Sequence, residues 1–194
     1  MASYGPGTAL VVVDLQNDFA DPQGSLTVAG GLQVVPVVNH EVQEATAAGA
    51  LVAYTQDWHP PNTPHFAKDG GRWPVHCVRG TWGAQLVPSL VVAGPVVRKG
   101  VGGEDGYSGF TVRDPVTGAV TQTQLADLLQ ERSVAKVVVV GLATDYCVKE
   151  TALDAVRLGF ATSVVAAGVR AVDLAPGDGA RALEELAQAG VEVI

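Results

Sequence analysis

Short apolar runs alternate with longer stretches of helical periodicity along this chain, and that alternation is the strongest constraint on its fold. The clearest run, Lys136–Val140, contains four consecutive valines. The other runs are Ala9–Val13, Ala50–Thr55, Pro95–Arg98, Ala161–Ala166 and Val191–Ile194. Runs that are continuously apolar indicate strands buried on both faces. Six such strands with helices between them predict an α/β fold, a three-layer α/β/α arrangement around a six-stranded, mostly parallel sheet with Rossmann-like strand order.

Four segments between the strands have the pattern of amphipathic helices: Gly31–Ala48, Gln122–Gln130, Tyr146–Leu158 and Asp178–Ala189. In the first, Val34, Val38 and Val42 form one apolar stripe, and Pro36 fits only if it lies in the first turn. The segment Trp58–Pro95 has no such pattern and is rich in Pro, Gly, Trp and His. An irregular segment of that length is usually functional.

Composition restricts the classes of partner. The 194 residues carry 12 Lys and Arg against 20 Asp and Glu, a net charge of −8, which disfavours nucleic acid and anionic membrane surfaces. Because 47% of residues are hydrophobic and no linker is evident, we expect one domain over residues 1–194. No apolar run is long enough to span a bilayer, and two cysteines fit a reducing cytoplasm. The oligomeric state stays open, with a homo-oligomer among the alternatives.

Reactive side chains lie at or just after the ends of the predicted strands: Asp14, Asp57, Lys99 and Cys147. The carboxyl ends of parallel strands meet at one edge of a sheet, so these four groups are expected to converge there. Any one of them taken alone is better explained as the polar start of a loop, and Lys99 by itself as a surface lysine. The set of four, with histidines nearby, favours a site.

Cys147 is the candidate nucleophile because it lies in a tight turn from the Val-rich strand into a helix. Backbone N–H groups and the helix dipole at such a turn are expected to lower the pKa of the thiol. The same N–H groups would hold an oxyanion. Cys77 lacks this setting and is interpreted as inert. With no histidine placed to act as base, Asp14 is the candidate proton acceptor, and Lys99 would pair with Asp14.

The irregular segment carries a candidate metal site, formed by Asp57, His59, His65 and His76. One carboxylate with two or three imidazoles suits a divalent zinc, iron or manganese ion. Local hydrogen bonds within the loop explain the same spacing about equally well. The fourth histidine, His40, lies on a predicted helix and is interpreted as a surface residue. The aromatic side chains of the same segment form either an apolar slot for a flat ligand or a small loop core: Trp58, Phe66, Trp73 and Trp82.

These residues fall within a series of motifs that resembles one family. In chain order they are Val13-Asp-Leu-Gln-Asn-Asp-Phe19, Gly24-Ser-Leu26, Asp57-Trp-His59, Trp73-Pro-Val-His-Cys77, Arg98-Lys-Gly100, Tyr107-Ser-Gly-Phe110 and Gly141-Leu-Ala-Thr-Asp-Tyr-Cys-Val148. The chain resembles the nicotinamidase branch of the isochorismatase-like cysteine hydrolases over about residues 9 to 160. Asp-x-His followed by Trp-Pro-x-His-Cys is the specific mark of that branch.

The resemblance implies a reaction. Cys147 would attack the carboxamide carbon of nicotinamide and expel ammonia, leaving a thioester that water hydrolyses to nicotinate, a step of NAD salvage. Asp14 would be the general base and acid, with Lys99 completing the triad. Ala143 and Cys147 would supply the oxyanion-hole N–H groups after a cis peptide bond at Leu142–Ala143. Pyrazinamide, which has a similar shape, is a second candidate substrate.

The resemblance also implies roles for the residues around the substrate. Asp57, His59 and His76 would hold one divalent metal ion that receives the pyridine nitrogen, and His65 is a fourth candidate ligand. The substrate-binding set would be Phe19, Trp73, Tyr107 and Tyr146. Phe19 and Trp73 match positions that sandwich the ring, whereas Tyr146 stands where some relatives carry histidine. The segment Gly100–Tyr107 is rich in glycine and acid, and neither the residues nor the resemblance explains it.

Three other interpretations remain open. The chain could be a sibling hydrolase of the same superfamily that acts on another small amide or a carbamoyl compound. It could be a doubly wound binding module with an inert site. It could also be a zinc hydrolase in which bound water attacks instead of Cys147.

Overall fold

The computed structural model describes residues 2–194 and contains one central sheet and one separate hairpin. The strands are β1 Thr8–Val13, β2 Leu51–Asp57, β3 Val96–Lys99, β4 Thr111–Arg113, β5 Val120–Gln122, β6 Lys136–Leu142, β7 Ala161–Arg170 and β8 Glu192–Val193. The helices are α1 Asn17–Ala20, α2 Val35–Ala47, α3 Leu125–Glu131, α4 Lys149–Arg157 and α5 Asp178–Gln188.

The central sheet has six strands in the order β3-β2-β1-β6-β7-β8, and every neighbouring pair is parallel. This confirms the predicted α/β fold. The chain moves outward from β1 to β3 on one side and from β6 to β8 on the other, so the strand order reverses between β1 and β6. A crevice at the carboxyl ends of the strands beside such a reversal is the usual ligand site of an open α/β sheet.

Alternation along the strands explains why the sheet is covered on both faces. All six residues of β1 are buried. Leu10 and Val12 pack with α2 on one face, whereas Ala9 and Val11 pack with α3 and α4 on the other. Because successive side chains of a strand point to opposite faces, an uninterrupted apolar run is what a strand between two helical layers requires.

The predicted helices are present, with shifted ends. A 3-10 turn at Gly31–Val34 precedes α2, which places Pro36 in the first turn of the α-helix as expected. The helix predicted from Tyr146 begins instead with a π-helical turn at Thr144–Val148, followed by α4. Within residues 2–194, no helix has the length and apolar character needed to cross a membrane.

Two elements differ from the prediction. Strand β7 continues to Arg170, four residues beyond the predicted end, after a register irregularity against Val139–Gly141. The antiparallel hairpin β4–β5 was missed, since its strands are three residues long and Val120–Gln122 is fully exposed. The segment Trp58–Pro95 is irregular as expected, with only one 3-10 turn, Ala67–Asp69, among its described helices.

Candidate active site

The carboxyl ends of β1, β3 and β6 bring three reactive side chains together. Lys99 Nζ lies 3.0 Å from Asp14 Oδ2 and 3.8 Å from Cys147 Sγ. All three residues are buried, with exposures of 0% for Asp14, 2% for Lys99 and 8% for Cys147. The burial of Lys99 excludes the alternative of a surface lysine and agrees with the expectation from its strand-end position.

Strand alternation explains where Lys99 points. Val97 belongs to the core on the face covered by α3 and α4, as does Cys147. Lys99 follows Val97 by two residues in β3, so its side chain lies on the same face of the sheet. Val96 and Arg98 alternate with these two residues and are exposed.

Asp14 is held at the end of β1 by local geometry. Its φ is +44°, in the left-handed region that residues other than glycine seldom adopt. Its backbone N–H donates to Thr55 Oγ1 at 3.2 Å, and Thr55 Oγ1 donates to Asp14 Oδ1 at 2.7 Å. Thr55 therefore orients one carboxylate oxygen while the other faces Lys99. Gly141 of β6 is packed against this strand, since a Cβ there would lie 2.1 Å from the carbonyl oxygen of Val13.

Burial dominates the electrostatics of Cys147. It raises the pKa of the thiol well above its usual value, and Lys99 offsets this only in part. The sequence-based expectation of a lowered thiol pKa at the helix start is therefore wrong: Cys147 lies inside a buried π-helical turn, where desolvation raises the pKa of the thiol. Burial also raises the pKa of Asp14, against the opposing effect of Lys99. A carboxylate of raised pKa is a stronger base, which suits it to accept a proton from a thiol.

Asp57 is shared between the two halves of the site. Its Oδ1 accepts a short hydrogen bond from Lys99 Nζ, and its Oδ2 lies 3.8 Å from His59 Nε2. Burial favours a higher pKa for Asp57, but Lys99 and His59 hold it well below its usual range. Gln16 fixes the backbone: its Nε2 donates to the Asp57 carbonyl, and its Oε1 accepts from the Asp57 N–H, each at 2.8 Å. The carboxylate is therefore ionised and rigidly placed.

Three histidines form a compact cluster beside Asp57. Ligand atoms of His59, His65 and His76 lie within 4.8 Å of one another, and all three residues are buried. His59 and His65 stack with ring centroids 4.8 Å apart. His76 Nδ1 lies 2.7 Å from the Pro74 carbonyl oxygen, so this nitrogen donates and leaves Nε2 for a ligand. Burial lowers the pKa of His76 to about 4, which keeps its imidazole neutral near pH 7.

The donor set fits a divalent metal ion. Within the described chain, neither ring nitrogen of His59 has a hydrogen-bond partner although both are buried. Buried polar atoms are rarely left unpaired, and a metal ion would provide a partner for one of the two nitrogens. Three imidazoles beside a carboxylate match the preference of zinc and related ions. The structure thus places the four sequence-predicted ligands together, with Asp57 at the edge of the histidine cluster.

The segment Gly100–Tyr107, unexplained by the sequence, packs directly on this cluster. Asp105 Oδ1 lies 2.7 Å from His65 Nδ1. The hydrogen bonds to His65 and to Arg113 together hold the pKa of Asp105 well below its usual range. Gly100 has φ +72°, and a Cβ there would lie 2.5 Å from His59 Nδ1. Gly100 therefore permits close approach to His59, and Asp105 serves as a hydrogen-bond partner of His65.

A cavity of about 440 Å³, including its mouth, connects the nucleophile to the histidines. Cys147, Ala143 and Asp57 lie on its wall together with His65 and His76. The four candidate substrate-binding residues also line it: Phe19, Trp73, Tyr107 and Tyr146. A concave, mostly apolar slot with a few polar groups is typical of a small-molecule site. The Leu142–Ala143 peptide bond beside it is cis, as the resemblance implies.

The aromatic rim of the cavity is internally braced. Trp73 and Tyr146 meet edge to face with centroids 5.0 Å apart, and Trp73 Nε1–H donates to Tyr107 Oη at 3.0 Å. Arg72 lies 5.0 Å from the Trp73 ring and donates to Tyr146 Oη at 3.1 Å. Burial raises the pKa of Tyr107, so its hydroxyl stays protonated. The rim thus presents flat rings in fixed orientations.

Other sequence candidates lie outside the cavity. Of the four aromatic residues in the irregular segment, only Trp73 lines it; Phe66 packs against the histidines, and Trp82 is 45% exposed. Trp58 packs under the Arg98 guanidinium at 3.9 Å from the ring centroid. His40 is exposed on α2, as expected. Cys77 is buried with its Sγ 4.0 Å from the Gly83 carbonyl oxygen, away from the cavity lining.

Sequence reasoning missed four polar residues that support the site: Gln16, Thr55, Arg72 and Asp105. It also missed the apolar lining from Leu26, Val28 and Val172. Gln16 lies within one of the motifs on which the resemblance rests, so its role at the site could have been suspected from the sequence. The other three are single polar residues whose partners lie 40 to 74 positions away, and spacing gives no sign of them.

The fold and site define a doubly wound α/β protein with a cysteine-centred site where the strand order reverses. The model of the isochorismatase domain matches residues 8–194, and the chain belongs to the isochorismatase family. It is 40% identical to the nicotinamidase/pyrazinamidase of Mycobacterium tuberculosis, over 96% of this chain and 97% of that protein. Its similarity to several nicotinamidases shows that the chain is a hydrolase that acts on amide carbon–nitrogen bonds.

Two solved structures are similar along nearly the whole chain. The pyrazinamidase of Pyrococcus horikoshii in complex with zinc is 38% identical, with a TM-score of 0.86, covering 97% of this chain and 99% of that one. PnC1 of Leishmania infantum in complex with nicotinate is 35% identical, with a TM-score of 0.88, covering 100% of this chain and 95% of that one.

Proposed function

We propose that this protein deamidates nicotinamide to nicotinate and ammonia by covalent catalysis at Cys147, as a step of NAD salvage in the cytoplasm. One observation carries the proposal: the same mostly apolar cavity is lined by Cys147, by His65 and His76, and by the aromatic rings of Phe19 and Trp73. A planar ring that bears a carboxamide fits that arrangement, with the amide at the thiol and the ring nitrogen toward the histidines. The nicotinate-bound relative supports the same substrate class. We also propose that residues 1–194 form one isochorismatase-like domain.

The first half-reaction follows from the contacts at the strand ends. Asp14 accepts the thiol proton, and Cys147 Sγ bonds to the carboxamide carbon, giving a tetrahedral oxyanion. The N–H groups of Ala143 and Cys147 are the proposed donors to that oxygen. Asp14 then gives its proton to the departing nitrogen, the carbon–nitrogen bond breaks, and ammonia leaves a thioester on Cys147.

The second half-reaction reuses the same groups. Asp14 takes a proton from water, the hydroxide oxygen bonds to the thioester carbon, and the carbon–sulfur bond breaks to give the Cys147 thiolate and nicotinic acid, which loses its proton to solvent as nicotinate. The proton returns from Asp14 to Cys147. Lys99, between Asp14 and Asp57, keeps the site neutral enough for Asp14 to carry charge in a buried position.

Asp57, His59, His65 and His76 are the proposed holders of one divalent ion, with zinc, iron and manganese as candidates. When bound, that ion would supply a Lewis-acidic coordination point for the pyridine nitrogen. Trp73 and Phe19 would hold the faces of the ring. Pyrazinamide, which keeps a ring nitrogen in the same position relative to its carboxamide, is a second proposed substrate, in keeping with the name of the Mycobacterium tuberculosis relative.

The test is ammonia release from nicotinamide by zinc-loaded protein, with Cys147→Ala and Cys77→Ala assayed beside it. We expect Cys147→Ala to lose at least about a thousandfold in turnover, as removal of a nucleophile does. Cys77→Ala should retain turnover, because Cys77 does not line the cavity. Absence of release from the loaded wild-type protein would contradict the substrate. Full activity in Cys147→Ser together with loss on chelation would favour a metal-bound water as the attacking group.

A further inference from the structure

The loop that crosses the histidine cluster carries one carboxylate with a specific placement. Asp105 Oδ1 lies 2.7 Å from His65 Nδ1, and the same oxygen accepts the Gly106 N–H at 2.8 Å. A carboxylate only accepts hydrogen bonds, so His65 Nδ1 is the protonated nitrogen and its lone pair is on Nε2. The contact therefore selects the tautomer that a metal ligand at Nε2 requires.

The other oxygen of Asp105 is held by a different element. Arg113 Nη2 donates to Asp105 Oδ2 at 2.9 Å. The backbones of these two residues also pair, with the Asp105 N–H donating to the Arg113 carbonyl at 2.7 Å and the reverse bond at 2.6 Å. Hairpin β4–β5, which lies outside the central sheet, thus holds the Asp105 carboxylate in place through Arg113.

We infer that Asp105 is a positioning residue for His65, fixing its ring orientation and tautomer so that His65 serves as a ligand of the metal site, and that hairpin β4–β5 supports Asp105. Carboxylates that accept the second N–H of a ligating histidine orient the ring and raise its basicity, and their removal commonly weakens metal binding by about 10–100-fold. This inference rests on the metal site of the proposed function.

The experiment measures zinc affinity of the full chain by competition with a chromophoric chelator. Five variants are compared with wild type: Asp105→Ala, Asp105→Asn, Arg113→Ala, His65→Ala and the Asp105→Ala/His65→Ala double variant. We expect Asp105→Ala to bind zinc about 10–100-fold more weakly, and Asp105→Asn, which keeps an acceptor oxygen, to fall between it and wild type. Arg113→Ala removes an exposed ion pair but leaves the contact between Asp105 and His65 in place, so its zinc affinity should fall by less than about fivefold.

The double variant separates a positioning role from general support of the loop. If Asp105 acts through His65, Asp105→Ala should cause no further loss of zinc affinity once His65 is alanine. An unchanged affinity in Asp105→Ala would overturn the inference, as would an equal loss with or without His65. Circular dichroism of each variant verifies that the comparison is made on folded protein.

Nicotinamide turnover by the wild type is scored separately. Coupling between Asp105 and His65 in zinc binding, without any turnover, would support this inference and contradict the proposed function. Turnover without coupling would do the reverse.

Discussion

The two halves of the site, which we call the strand end and the loop end, are built in different ways. At the strand end, Asp14 directly follows β1, Lys99 ends β3, and Cys147 lies in the π-helical turn that follows β6; the three side chains depend on each other electrostatically. At the loop end, His59, His65 and His76 stand on an irregular segment. His65 donates to Asp105 and His76 donates to the Pro74 carbonyl, whereas both ring nitrogens of His59 are unpaired. We therefore expect substitutions at the strand end to lower the stability of the sheet, and substitutions at the loop end to affect mainly the binding of a metal ion by the histidines.

Replacement of Lys99 should have the largest effect on both stability and turnover. Lys99→Met leaves Asp14 and Asp57 as buried carboxylates without their cation, and we expect a loss of about 3–5 kcal/mol in the free energy of unfolding. Turnover should fall at least about a thousandfold. Urea unfolding and ammonia release measure the two effects.

Lys68→Met is the matched control for that substitution. Lys68 also pairs with a carboxylate, Asp69 at 2.7 Å, but its side chain is 41% exposed. Its loss should change stability by less than about 0.5 kcal/mol. Similar destabilisation in the two variants would show that Lys99 does not hold the strand end together.

Replacement of His59 should act through the metal and leave the sheet intact. We expect His59→Ala to weaken zinc binding by more than about 100-fold, because a ligand is lost. At a zinc concentration 100 times the wild-type Kd, the wild type gains about 2.7 kcal/mol of stability from the ion, and the variant should lose most of that gain. Without zinc its stability should not fall, since the two unpaired buried nitrogens of His59 are removed.

Thermal unfolding with and without zinc measures this difference, and His40→Ala on the exposed face of α2 is the control. A zinc-independent loss of stability in His59→Ala would show that the loop end is part of the folding core, and the contrast between the two ends would fail.

The same contrast explains how much the sequence predicted. The strand end could be predicted because apolar runs mark strands, and the residues that follow parallel strands converge at one edge of the sheet. Asp14, Lys99 and Cys147 were identified as candidates in this way. The burial of Lys99 and the raised pKa of Cys147 were not accessible, since both depend on packing across the sheet. At the loop end, histidines were suggested by residue type, but Asp105 has no periodic pattern around it and its partner is 40 residues away.

The smallest expected effects come from the rim of the cavity, where the structure distinguishes two tyrosines. Tyr107→Phe leaves the Trp73 indole N–H without its acceptor in a partly buried place. The net value of such a bond is about 1 kcal/mol, so KM should rise roughly fivefold while kcat changes little. Tyr146→Phe removes only an exposed contact with Arg72, and its KM should change by less than about twofold. Steady-state kinetics on nicotinamide measure both. A lower kcat in Tyr107→Phe would contradict this expectation. It would mean that the rim positions the carboxamide for attack by Cys147 as well as holding the ring.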